Sequence, residues 1–123
     1  MPAAIALVVI LSLLAVFQLA LALGAPLGRF AWGGQHRVLP RRLRIGSLVS
    51  ILIYGIIAVL ALDRVGLVDV VPDAVSTVGM WVVFAYFVIG IPLNAISRSK
   101  PERYVMTPVV TILAVLSLLV ALS

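Results

Sequence analysis

The chain has 123 residues, 64% of them hydrophobic and 11% charged, with nine Lys and Arg against four Asp and Glu for a net charge of +5. Soluble domains are about 45–50% apolar and about 25% charged, and small domains bury the smallest share of their surface, so this composition excludes a soluble globular domain and a disordered chain. The basic balance does not point to nucleic acid, because the charges lie only between long neutral stretches, and zero Cys with a single His excludes disulfides, thiolate chemistry and a histidine metal cluster.

Residues 1–28, 45–62, 74–97 and 104–123 carry no charged side chain. A membrane-spanning helix needs about 20 mostly apolar residues, so the four runs predict helices over 3–23, 45–62, 74–96 and 105–122. The fold class is all-α, a four-helix transmembrane bundle with antiparallel up-down topology, and residues 1–123 form a single transmembrane domain. Strands of a membrane barrel would alternate polar and apolar positions over about 10 residues, and these runs do not. In the first run Ala20-Leu21-Ala22 has the spacing of a signal-peptidase site. No Lys or Arg precedes it, however, and the run is longer than a typical h-region of about 7–15 residues, so it reads as a retained helix. Gly24 and Pro26 punctuate its end.

The first connector, about 24–44, holds Arg29, Arg37, Arg41, Arg42, Arg44 and His36 among glycines, prolines and the aromatics Phe30 and Trp32. Aromatic rings favour the membrane border, and arginines beside them face anionic headgroups. This stretch therefore reads as an interfacial loop on anionic inner-leaflet lipids. A sharper reading makes it an anion or lipid-headgroup site built from Arg29, Trp32, Gly33, Gly34, His36, Arg37, Arg41 and Arg42, with the Gly33-Gly34 amides as donors. No GxxxxGK[ST] spacing is present for a phosphate loop, His36 has no partner ligands for a metal, and it has no Ser or Asp companion for nucleophilic catalysis.

The second connector, about 63–73, holds Asp63, Arg64, Asp69 and Asp73, and the third, about 97–104, holds Arg98, Lys100, Glu102 and Arg103. The first and third are basic and the second is acidic, so the positive-inside rule places the first and third in the cytoplasm and both termini outside. Asp73 is expected to cap the third helix, Pro108 to lie in the first turns of the fourth, and Pro92 to free the carbonyl of Val88. Glu102 is expected to be a solvated charge.

Lipid does not drive apolar helices together; small residues and hydrogen bonds do. Spacings of three and four predict one seam per helix: Ser12, Ala15, Gln18 and Ala22; Ser47, Ser50, Tyr54, Ala58 and Ala61; Ser76, Gly79, Val83, Tyr86, Gly90 and Asn94; Thr107, Thr111, Ala114, Ser117 and Ala121. The largest polar side chains on these seams, Gln18, Tyr54, Tyr86 and Asn94, join helices or line an intramembrane cavity. Every acid and base falls in a connector or at a helix border, which disfavours an ion-coupled antiporter built on a membrane-buried carboxylate.

The run Gly-Ala-Pro-Leu-Gly-Arg-Phe-Ala-Trp-Gly-Gly-Gln-His from Gly24 to His36 resembles, with Asn94-Ala-Ile-Ser-Arg-Ser-Lys-Pro-Glu-Arg103, a set of small four-helix bacterial integral membrane proteins of no known activity. The resemblance spans nearly the whole chain and implies a topology without a mechanism. The small fluoride channels are similar in size and helix count, but their glycine-plus-arginine segment lies early in the first helix, whereas Gly24 to Arg29 follows it here. The expectation is a non-enzymatic protein of the bacterial inner membrane, without metal or cofactor. It acts as an accessory or interaction subunit that self-associates or binds another membrane protein. The alternative is a small passive channel or transporter for an anion or small polar solute, with the arginine loop at its cytoplasmic mouth.

Overall fold

A computed structural model describes residues 2–123 as four helices: α1 Pro2–Ala22, α2 Arg41–Arg64, α3 Asp73–Ala95 and α4 Lys100–Leu122. All four are long and apolar enough to cross a bilayer, and the chain is a four-helix, multi-pass membrane protein. No more than a third of any spanning window is buried. The outward faces are nonetheless apolar, as with Ile5, Val9, Leu13 and Val16 on α1. A soluble helix would turn charge outward; these helices turn hydrocarbon outward because their solvent is lipid.

The helices pack as two hairpins. The closest pairings are α1 with α2 and α3 with α4, and the α2–α3 and α1–α4 faces close the square. Both glycine stops work through positive φ. At Gly24 (φ +97°) the amides of Gly24 and Ala25 return to the carbonyls of Leu21 and Ala20, and at Gly66 (φ +82°) those of Gly66 and Leu67 return to Asp63 and Leu62. This is the Schellman arrangement, which satisfies the last carbonyls of a helix. The α2–α3 connector is then held by Asp63, whose carboxylate accepts from the amides of Val70 and Val71 at 2.8 and 3.0 Å. Arg64 reaches across to the Ala121 carbonyl at 3.4 Å, a cation at the end of α4 where the helix dipole favours one.

Two boundaries differ from the sequence reading by several residues. Helix α2 begins at Arg41 and α4 at Lys100, so Arg41–Arg44 and Lys100–Tyr104 are helical rather than connector. The charge gaps mark where hydrocarbon ends, not where helix ends: at about 1.5 Å per residue, α2 is about 36 Å long against about 30 Å of hydrocarbon. Pro108 consequently lies in the interior of α4, and the proline of the first turn is Pro101. Asp73 does not cap α3. It is the first helical residue after Pro72, and Ser76 donates to its carbonyl at 3.1 Å. Pro92 lies inside an unbroken α3, where it offers no amide to the Val88 carbonyl.

The dry core occupies the half of the bundle nearest the termini. Ala4, Leu7 and Leu11 meet Ile57 and Ala61, Met80, Val83 and Phe87, and the stretch from Val110 to Ala121. Ser47, Ser76 and Ser117 are fully buried at seam positions as expected. Ser12 and Thr111 correct the seam reading: both are exposed and donate to carbonyls four residues back, Val8 and Thr107, at 2.8 Å. A hydroxyl that bonds within its own helix needs no neighbour, so its spacing carries no information about facing.

Candidate functional site

The other half of the bundle, at the arginine-rich end, is not packed solid. It encloses a half-open cavity of about 410 Å³ reached by all four helices and by the first connector. That volume lies within the range of small-molecule sites. On α4 the wall runs from Glu102 to Leu113, a rise of about 16 Å at about 1.5 Å per residue. The cavity therefore reaches roughly halfway through a hydrocarbon core of about 30 Å.

Gln18, Tyr54, Tyr86 and Asn94, the four polar residues singled out from the seams, all line it. They do not form one network. Gln18 Nε2 donates to the Tyr54 hydroxyl at 3.5 Å, the limit of a hydrogen bond, and Asn94 Nδ2 donates to the Gly90 carbonyl at 2.8 Å. Gln18 is only 9% exposed, and its Oε1 has no partner. A buried acceptor left unsatisfied costs about 1–3 kcal/mol. The wall residues Trp32, Tyr86, Ile89 and Leu93 are exposed and form the mouth. Trp32 belongs to the first connector and the other three to α3, so the opening lies between that connector and the exposed face of α3.

The first connector forms the roof of the cavity, to whose wall it gives Phe30, Ala31 and Trp32. Two short 3-10 turns, Gly28–Phe30 and Trp32–Gly34, fold it inward against the start of α4. Gly28 passes so close to the returning chain that a Cβ there would stand 1.8 Å from the His36 carbonyl oxygen. Trp32, Gly33 and Gly34 are three consecutive left-handed residues, with φ of +52°, +77° and +70°. The conformation costs a non-glycine residue about 1–2 kcal/mol. Trp32 is held in it by its indole N–H, 3.3 Å from the Ser47 hydroxyl, and by its ring lying over Gly46. The hydroxyl of Ser99 donates to the Arg29 carbonyl, tying the roof to the α3–α4 connector. Arg44 Nε donates to the Leu39 carbonyl at 2.8 Å and braces the return into α2. Leu21, Ala31 and Leu39 make a small second core beneath.

The eight residues of the anion reading lie mostly at the surface of this end of the bundle. Arg29 is exposed with its guanidinium 5.0 Å over the Phe30 ring, Arg37, Arg41 and Arg42 are exposed, and His36 is half-buried with its carbonyl against Gly28. Gly33 is open, whereas the Gly34 amide already donates to the Ala31 carbonyl at 2.8 Å. Of the two amides that an anion would use, one is committed inside the roof. Only Trp32 of the eight reaches the cavity wall.

Glu102 is the site residue that sequence reasoning placed elsewhere. It is 9% exposed and lines the cavity, and the Ser97 hydroxyl donates to its Oε2 at 2.5 Å. Ser97 is itself buried and accepts from the Ser99 amide at 3.2 Å. The correction has one cause: α4 starts at Lys100, so Glu102 belongs to its first turn and faces inward instead of lying in a loop. A signal was present. Ser99-Lys-Pro-Glu102 has the S-x-x-E spacing of a helix start with proline at the first position. The wall carries no Arg, Lys or His, so Glu102 is its one charged group. Phe17, Phe30 and Phe87 complete an aromatic lining with Trp32, Tyr54 and Tyr86, six of the nine aromatic residues of the chain.

No protein-family model, curated protein or solved structure matches the chain.

Proposed function

We propose that this is a small multi-pass protein of the bacterial inner membrane that binds a small amphipathic molecule in the cavity at its arginine-rich end, as a passive carrier or transporter. The observation that carries the reading is a cavity of about 410 Å³ whose wall brings together Gln18, Tyr54, Tyr86 and Asn94. Polar side chains at membrane depth are costly and mark functional sites. A mouth bordered by the exposed Tyr86, Ile89 and Leu93 of α3 suits a ligand that partitions into the bilayer first. The positive-inside rule puts this end in the cytoplasm and both termini outside, with Arg29, Arg37, Arg41 and Arg42 toward anionic lipids.

The chain has no cysteine, so single cysteines report access cleanly. Tyr54→Cys on the wall should react with a small membrane-permeant thiol reagent, whereas the fully buried Ser47→Cys should not. Equal protection of both positions would mean that the cavity is closed and the reading is wrong. Cysteines at positions 2 and 100, labelled with an impermeant reagent from opposite sides, test the orientation.

A second reading, self-association or an accessory role, draws on the lipid face of α2. Gly55 is exposed there with nothing near it, in a groove formed with Leu52, Ile56 and Val59. Small residues let helices approach closely in lipid. Cross-linking in native membranes that survives Gly55→Leu unchanged would remove this reading.

A further inference from the structure

We infer that the cavity takes an amphipathic organic cation, with its positive centre against Glu102 and its hydrophobic body among the rings deeper in the bundle. The inference rests on the binding role proposed above and supplies the chemistry of the ligand.

Glu102 carries the charge argument. Its carboxylate is nine-tenths buried at the outer end of the cavity, and the hydrogen bond it receives comes from a neutral hydroxyl, that of Ser97. A buried charge is costly unless it is paired. The wall offers no cationic partner, and the roof's Arg29 is exposed and turned onto Phe30. An anion, the ligand suggested by the arginine content, would meet a carboxylate and no base inside the cavity.

The lining fits the same class. Aromatic faces attract a cation by about 0.5–1 kcal/mol at exposed sites and about 2 kcal/mol or more when water is excluded. Six aromatic residues line the cavity whose one carboxylate is Glu102. About 16 Å inward from Glu102 the wall is closed by Leu113, in the half of the bundle where Gln18 bonds Tyr54. A ligand lying along that length places its charge at the carboxylate and its apolar body among Phe17, Tyr54 and Phe87.

Two sources supply such chemistry: a free hydrophobic cation, or the ammonium headgroup of a membrane lipid. The test uses the full chain in dodecyl maltoside, which is uncharged, with radiolabelled tetraphenylphosphonium as probe and protein-free micelles as background. Saturable binding is expected, and the similarly shaped anion tetraphenylborate should displace the probe at least tenfold less well than unlabelled tetraphenylphosphonium. Glu102→Gln keeps an acceptor for Ser97 while removing the charge. It should weaken probe binding tenfold or more at unchanged helical content and elution volume. Displacement by added phosphatidylethanolamine assigns the site to a lipid headgroup, and its failure to compete assigns it to a free cation. Equal competition by the anion, or unchanged affinity in folded Glu102→Gln, overturns the cation assignment while leaving a binding cavity. Absence of probe binding also overturns it. Protection of Tyr54→Cys from the thiol reagent, measured separately, removes the cavity itself.

Discussion

Gly28→Ala is the most incisive perturbation of the roof. A Cβ at this position would sit 1.8 Å from the carbonyl oxygen of His36 and 2.9 Å from that of Arg37. Both are backbone atoms, so no rotamer change relieves the overlap. The two chain segments must part, which removes the hydrogen bond from the Gly28 amide to the Arg37 carbonyl, 2.9 Å in the native arrangement. Overpacking costs about 1–3 kcal/mol and a lost hydrogen bond about 1 kcal/mol. A combined effect of about 3 kcal/mol shifts the closed–open equilibrium of the connector by about 150-fold. Amide exchange of Ala31 and Gly34, which donate to Gly28 and Ala31 at 3.1 and 2.8 Å, reads that equilibrium directly. Their exchange should accelerate by about two orders of magnitude, while the amides of Leu7 and Leu11 in the dry core keep their protection. Gly55→Ala is the control: nothing lies within 4 Å of that Cβ, and helix propensity favours alanine there by about 1 kcal/mol. Wild-type exchange rates in Gly28→Ala would show that the connector does not cross itself here, and the account of the roof would fail.

Three further outcomes follow from individual contacts. Ser12→Leu, on the lipid face, should change thermal stability in detergent by less than about 0.5 kcal/mol, whereas Ser117→Leu, fully buried, should cost about 1–3 kcal/mol by overpacking; equal effects would contradict the assigned facing. In a Trp81→Phe background, Gly46→Ala should shift Trp32 emission to the red. The new Cβ would stand 2.8 Å from the indole and push it off Ser47, and an unchanged spectrum would refute the stacked position. Asp63→Ala leaves the Val70 and Val71 amides without their acceptor, so both should exchange faster while Val65 and Gly66, bonded to backbone carbonyls, do not; uniform exchange across the four would count against the carboxylate clamp.

The sequence by itself determined the number of spans, their identity and their apolar character. It also determined the stop of α1, because Gly24 can take the left-handed turn there without a Cβ penalty; the matching stop at Gly66 came from the structure. Gln18, Tyr54, Tyr86 and Asn94 stood out because amides and phenols are rare in hydrocarbon, and the fold brings all four to one cavity. Which way each seam residue faces was decided only by tertiary structure. A bilayer is as apolar as a protein core, so Leu13 toward lipid and Leu11 toward α2 look alike in the chain, and Ser12 satisfies itself within its own helix. Glu102 depended on the fold most of all. A helix start is legible at Ser99-Lys-Pro-Glu102, but the cavity that Glu102 lines is roofed by the first connector, which folds back onto Ser99 through a contact between residues seventy positions apart that no local pattern encodes.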